Sequence, residues 1–213
     1  MSPPAATVAS RRRSEARRQA QARRRRLRTM TVVAVLIVGV VLLMPLFRRA
    51  VNDLGLPLSY ADVIRQQAAD KHLDPALIAA VIYAETKFDP RPSSAGAEGL
   101  MQILPQTADY LAHKSGATNF QLSDLGTPAV NIAYGSYYLR YLLDEYGDNE
   151  MLALAAYNGG ESNVTRWVTS ERAEGRPLTV SEIPFPETRA YVIKVMQAQQ
   201  DYRRTYSQQL GYS

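Results

Sequence analysis

The chain has 213 residues, no cysteine and a formal charge of +5; that length holds one domain with a sizeable core plus a short appendage, but not two large domains. The lack of cysteine excludes a disulfide scaffold and thiolate metal sites. The positive charge belongs to one end: residues 1–28 carry ten arginines against one glutamate, and the remainder holds 15 basic and 19 acidic side chains, so the body is mildly acidic, without the basic patch expected of a nucleic-acid-binding domain.

In chain order, residues 1–28 form a solvated Arg-rich tail. Residues 30–47, MTVVAVLIVGVVLLMPLF, contain no charge. As a helix they reach about 27 Å, close to the roughly 30 Å hydrocarbon core of a bilayer. No small-residue cleavage site follows in FRRAVNDLG, so the run predicts an uncleaved single-pass transmembrane signal-anchor. The positive-inside rule then keeps the arginines cytoplasmic, against anionic lipid headgroups, and puts the chain beyond about residue 50 outside the cell membrane. Residues 48–58, with Gly55 and Pro57, read as a linker, and 207–213 as a C-terminal tail.

Between them, residues 59–206 read as helices and loops without a convincing strand or repeat, which predicts a mainly α domain of seven or so helices. The first runs from Ser59 or Tyr60 to about Lys71. Asp74 with Pro75 starts the second, since the aspartate caps free N–H groups and proline suits the first helical position. Leu77, Ile78, Val81 and Ile82 follow at helical spacing and predict burial on one side. Residues 89–99, DPRPSSAGAEG, are a loop. Pro105 opens a helix ending near Gly116; Thr127 and Pro128 repeat the cap-then-proline signal for a long helix closed by Gly147. Further helices cover Asn149 to Tyr157, stopping at NGG, and Glu161 to Thr169. RPLTVSEIPFP reads as loop with some strand character, and Pro186 begins the last helix.

Glu85 is out of place. Val81, Ile82 and Ile78 precede it by four, three and seven residues, so an acid leaves the apolar face of its helix. Its position in the last turn sets it against the negative end of the helix dipole. Desolvation and dipole both raise its pKa, and a glutamic acid that keeps its proton near neutral pH is what general acid catalysis of a glycosidic bond requires. The plain alternative is a solvated or ion-paired helix end.

Four blocks decide between them: Glu85 with Thr86, then Ser94 followed by AGAEGLMQILPQTA, then AAYNGG at 155–160, then PFPETRAYVIKV from Pro184. In this order and spacing the sequence resembles the lytic transglycosylases of the soluble-lytic-transglycosylase type over about residues 59–206. The resemblance implies a goose-lysozyme-like fold and no cofactor or metal. It implies that Glu85 is the catalytic acid/base acting on the bond between N-acetylmuramic acid and N-acetylglucosamine in peptidoglycan glycan strands. Thr86 stands where the family usually has serine. Ser94 and Gln102 would hydrogen-bond the sugar and its N-acetyl group, and Met101 would pack under a sugar ring or in the core. Tyr157 would bond Glu85 or the glycan, Asn158 would hold the turn, and Glu187 and Tyr191, one helical turn apart, would line the cleft and approach the acid. Glu187 also fits as a first-turn charge complementing the helix dipole.

Ordinary glycosidases use two carboxylates, and here one stands out. The resemblance implies a substitute: the substrate's N-acetyl oxygen and C6 hydroxyl do the second group's work and leave a 1,6-anhydro end. A hydrolytic muramidase is the runner-up, and a non-catalytic peptidoglycan-binding protein a third reading. His72 and His113 form no HExxH pattern, and no GxSxG elbow occurs. Tyr83, Tyr110, Tyr134, Tyr138 and Trp167 are candidate liners of a polar glycan groove.

Overall fold

The computed structural model of the chain describes residues 30, 39, 43, 44, 55–90, 93–116 and 119–212. Contacts divide the chain into two units, Met1–Leu54 and Gly55–Ser213. In the first, Met30, Gly39, Leu43 and Met44 are helical. The Arg-rich tail, nearly all of the anchor expected at 30–47 and most of the linker lie outside the described residues. Among the described residues no helix is long and apolar enough to cross a membrane.

In the second unit the described residues form seven α-helices: α1 (Ala61–Lys71), α2 (Pro75–Thr86), α3 (Pro105–Ser115), α4 (Pro128–Glu145), α5 (Glu150–Gly159), α6 (Glu161–Ala173) and α7 (Pro186–Thr205). Two short 3-10 turns, Leu122–Gly126 and Val180–Glu182, complete it. Proline opens α2, α3, α4 and α7, where its missing N–H costs no hydrogen bond. The 3-10 turn at Val180 replaces the strand character read into RPLTVSEIPFP, and the pairing seen among the described residues is a lone bridge between Glu98 and Ile103.

The Asp74 cap forms as expected, accepting from the Ala76 N–H at 3.0 Å. Thr127 precedes its proline without capping through its side chain. The helix expected to stop at Tyr157 runs on through Asn158 to Gly159, because the Gly160 N–H still reaches the Ala156 carbonyl at 2.9 Å. α6 likewise continues to Ala173.

α2 is enclosed on every side, not on one. Ala76 through Ile82 are all buried, and α7 packs along it more extensively than any other element. Alanines at 76, 79 and 80 fill the positions that the aliphatic spacing left free, so small side chains let neighbours approach where polar ones would have faced water. α2 is therefore the central helix, and its C-terminal end delivers Glu85 to the edge of the core.

The folded unit extends past both boundaries read from the sequence. Tyr202 on α7 and Tyr206 just past its end donate to the Pro57 and Leu56 carbonyls, each at 2.6 Å. At the other end Leu210 is buried, and the Tyr212 hydroxyl bonds Asp74. The Asp74 carboxylate also holds Arg203 and accepts from Gln199 Nε2 at 2.8 Å. It thus joins the start of α2 to the end of α7 and to the C-terminal segment. Asp74→Ala removes a cap and strands these partners; the expected loss is about 1–3 kcal/mol in reversible denaturant unfolding.

Candidate active site

α2 ends on Glu85 and Thr86. Ile78, Val81 and Ile82 beneath the acid are fully buried, so the carboxyl leaves the helix against a dry floor, half-buried itself. The Thr86 hydroxyl, next to the Ile82 carbonyl at 3.1 Å, donates to the Leu100 carbonyl at 2.8 Å. That hydrogen bond fastens the helix end to the GLMQ loop.

The loop is a tight ring. Glu98 and Ile103 exchange backbone hydrogen bonds of 3.0 Å, and Gly99 and Gln102 between them have φ of +73° and +48°. Gln102 is not a glycine, so its left-handed backbone is strained; its side chain donates to the Gly99 carbonyl at 2.9 Å. Inside the ring sits Asn131 of α4, fully buried. Its Oδ1 accepts from the Met101 N–H at 2.7 Å, and its Nδ2 donates to the Glu98 and Leu125 carbonyls at 2.9 and 3.1 Å. A Cβ on Gly99 would lie 2.1 Å from Asn131 Nδ2, which gives that glycine a packing reason as well as a backbone one.

The Met101 side chain points inward. It is fully buried, and a Cβ on Gly135 of α4 would meet its sulfur at 2.4 Å. The alternative of packing beneath a sugar ring thus gives way to core packing, and what Met101 offers the site is its backbone. The Tyr157 hydroxyl donates to the Met101 carbonyl at 2.8 Å, so this tyrosine braces the loop.

α7 supplies the opposite wall. The Tyr191 hydroxyl is buried without a hydrogen-bond partner of normal geometry, and the Glu85 carboxylate is the group it acts on. One turn further on, Lys194 donates to the Ala84 carbonyl at 2.7 Å. Two cavities meet at Gln102. One, of about 410 Å³, is lined by Glu85, Thr86, Lys87, Asp89 and Lys194; the other, of about 310 Å³, by Thr107, Tyr138, Tyr157, Asn158 and Gly160.

Glu85 lines the first cavity, Tyr157 and Asn158 line the second, and Gln102 borders both. Ser94 sits exposed in a turn, and Glu187 is exposed in the first turn of α7; neither lines these cavities, and Glu187 is placed to complement the helix dipole. Of the other aromatics, Tyr138 lines the second cavity and sits tilted against Tyr157 at 5.3 Å between centroids. Tyr134 borders a separate cavity of about 210 Å³. His72 and His113 are exposed. Sequence reasoning missed Asn131 and Lys194. Lys194 was accessible in principle, at i+7 from Glu187 and i+3 from Tyr191; Asn131 carries no local signal.

Burial pushes the Glu85 carboxyl up to about 7, against a Tyr191 hydrogen bond and the Lys194 charge, both of which lower it. Burial likewise raises the Tyr157 and Tyr191 phenols well above their usual range, with the Glu85 charge adding to it. The phenols stay protonated, and the acid titrates at neutrality.

Residues 62–178 match the family described as "Transglycosylase SLT domain". The chain belongs to that family. It is 32% identical over 150 residues to the soluble lytic murein transglycosylase of Escherichia coli strain K12, covering 69% of this chain and 23% of that protein. It is 30% identical over 168 residues to the membrane-bound lytic murein transglycosylase C of Yersinia enterocolitica, covering 68% of this chain and 47% of that one. Among solved structures, the 70-kDa soluble lytic transglycosylase of Escherichia coli superposes with a TM-score of 0.66 at 31% identity, over 71% of this chain and 25% of that one. The chain thus spans about a quarter of the soluble relatives it matches.

Two outcomes follow. Asn131→Leu leaves the Met101 N–H and the Leu125 carbonyl without their partner and removes one of two bonds to the Glu98 carbonyl, and should cost about 2–4 kcal/mol of unfolding free energy by denaturant titration. Because the folded state raises the Glu85 pKa from 4.5 to about 7, the native protein binds more protons than the unfolded chain in that window, and stability falls as pH rises through it. Glu85→Gln removes this penalty: the variant should be more stable than the parent at pH 8, by a few kcal/mol at most, and the gap should close near pH 5 in thermal melts.

Proposed function

We propose that the protein is a membrane-anchored lytic transglycosylase of bacterial cell-wall remodelling, cutting the β-1,4 bond between N-acetylmuramic acid and N-acetylglucosamine in peptidoglycan. The observation that carries this reading is a half-buried carboxyl that titrates near neutrality in a groove bordered by Gln102. Family membership and the lytic transglycosylases among its relatives support it.

Glu85 donates its proton to the glycosidic oxygen as the bond to C1 breaks. The substrate's own N-acetyl oxygen stabilises the positive charge left on C1. The C6 hydroxyl of the same sugar then attacks C1, and its proton passes to the Glu85 carboxylate, which restores the acid. Attack from within the substrate needs no positioned water and gains from high effective molarity. Gln102 faces the N-acetyl group, Tyr157 and Asn158 border the next sugar, and Tyr191 steadies the carboxylate. The product carries a 1,6-anhydromuramic end.

Asp89 is a second carboxylate lining the cavity, and it is exposed. Were it a base for water, the reaction would be hydrolysis and would leave reducing ends. The uncharged run at 30–47 anchors the enzyme, with residues 59–206 acting outside the membrane and the arginine tail inside; a membrane-bound relative is consistent with that arrangement.

The test is mass spectrometry of peptidoglycan digested by the full-length chain. Anhydro ends are expected. Glu85→Gln should lower glycan release at least about 10²-fold while binding to sacculi persists, and Asp89→Asn should leave the anhydro product in place. Reducing ends that vanish with Asp89→Asn would make the protein a hydrolase, and undiminished release by Glu85→Gln would end the assignment.

A further inference from the structure

Lys194 has no role in the steps above, yet its placement is specific. Its ammonium donates to the Ala84 carbonyl, the residue before the acid, at 2.7 Å. It borders the same cavity as Glu85, and lies 5.6 Å from the centroid of the Tyr83 ring, which holds the stem across α2. Half-buried cations are expensive unless something returns the energy. A backbone carbonyl at a helix end is a partial return, because the negative pole of α2 favours a cation there. An ammonium has three donors, and the Ala84 carbonyl accounts for one.

We propose that Lys194 is a positioning residue: it pins the last turn of α2 through the Ala84 carbonyl and stands as the counter-charge to the carboxylate that Glu85 becomes when it gives up its proton. The inference rests on the acid role given to Glu85 above. While Glu85 keeps its proton, the lysine is held by the helix end. Once the proton leaves, an anion appears in the same cavity, at the same helix terminus whose dipole repels it. Lys194 is the basic side chain that α7 places there.

The other groups around Glu85 fit this division. Tyr157 on α5 and Tyr191 on α7 are phenols kept neutral by burial. Tyr191 can donate to the Glu85 carboxylate while Tyr157 donates to the Met101 carbonyl, and neither carries a charge. Lys87, just past the end of α2, is exposed, and its charge acts on Lys194 by repulsion. Asp89 is exposed on the same cavity. The coupling is mutual: Lys194 favours the ionised acid, and Glu85 favours the protonated lysine, against burial and Lys87. Burial still dominates at Glu85, so Lys194 moderates the acid without abolishing it.

Titration without substrate tests this. In full-length protein in detergent micelles, ¹³C NMR of glutamate side chains should show the Glu85 midpoint in Lys194→Gln moved up by about one pH unit. The alkaline limb of the pH–rate profile for glycan release should move with it. Lys194→Arg keeps the charge and should stay near the parent on both. An unchanged Glu85 midpoint in Lys194→Gln would overturn the proposal. Should that variant fail to fold, the reciprocal measurement serves: coupling between two sites is symmetric, so Glu85→Gln must lower the pH at which Lys194 titrates, read from its ¹³Cε shift, and no change there would equally overturn it. Neither titration involves bond cleavage, so their failure removes the role of Lys194 alone, whereas failure of the cleavage reading shows in the released products.

Discussion

The carboxamide of Asn131 is the contact on which the groove depends. The Met101 N–H and the Leu125 carbonyl, buried and otherwise without a partner, converge with the Glu98 carbonyl on one side chain from α4. A buried polar group left unmet costs far more than a met one contributes. The loop from Glu98 to Ile103 is therefore held in one conformation, with Gln102 in a left-handed backbone it would not choose alone. From that fixed ring two further ties spread outward, one to Thr86 beside the acid and one to Tyr157 on α5. α2, α4 and α5 meet through the same six residues of loop, and this shared attachment places Gln102 beside Glu85.

A second constraint is electrostatic and follows from the first. α2 is buried on all sides, so its C-terminal end emerges in a region where water is scarce and the helix dipole is negative. An acid there is driven toward its neutral form, and burial is the largest influence on Glu85. The Tyr191 phenol and the lysine act in the opposite sense and hold the acid close to neutrality. A proton that can leave and return at neutral pH needs this balance, since a freely solvated glutamate has already lost its proton and a fully dry one never does. The enclosure that stabilises the fold is also what prepares the acid.

Much of this was legible in the residues. Proline after a capping side chain marked the start of α2, and aliphatic spacing put Glu85 on a buried face, because capping and periodicity are local properties. Gln102, Tyr157 and Tyr191 came from short blocks in a given order. Other contacts answer to residues far away in the chain. Tyr157 spends its hydroxyl on the Met101 carbonyl, since a loop carbonyl fixed by Asn131 lies within its reach. Met101 lies inside because Gly135, 34 positions away, opens a space for its sulfur. The C-terminal segment read as a tail, yet it packs through Leu210 and Tyr212 because Asp74, far off in sequence, offers the hydroxyl an acceptor.

The order of helices, their proline-led starts, and an acid set among aliphatics at the end of one of them were determined by the sequence alone, since each depends on neighbours within a turn or two of the chain. The tertiary structure alone decided which helix is central, which backbone groups Asn131 satisfies, and which cation stands beside Glu85. Those depend on pairs such as Met101 with Asn131 and Ala84 with Lys194, separated by 30 and 110 positions. Local spacing carries no information about such encounters; packing of whole helices brings them about.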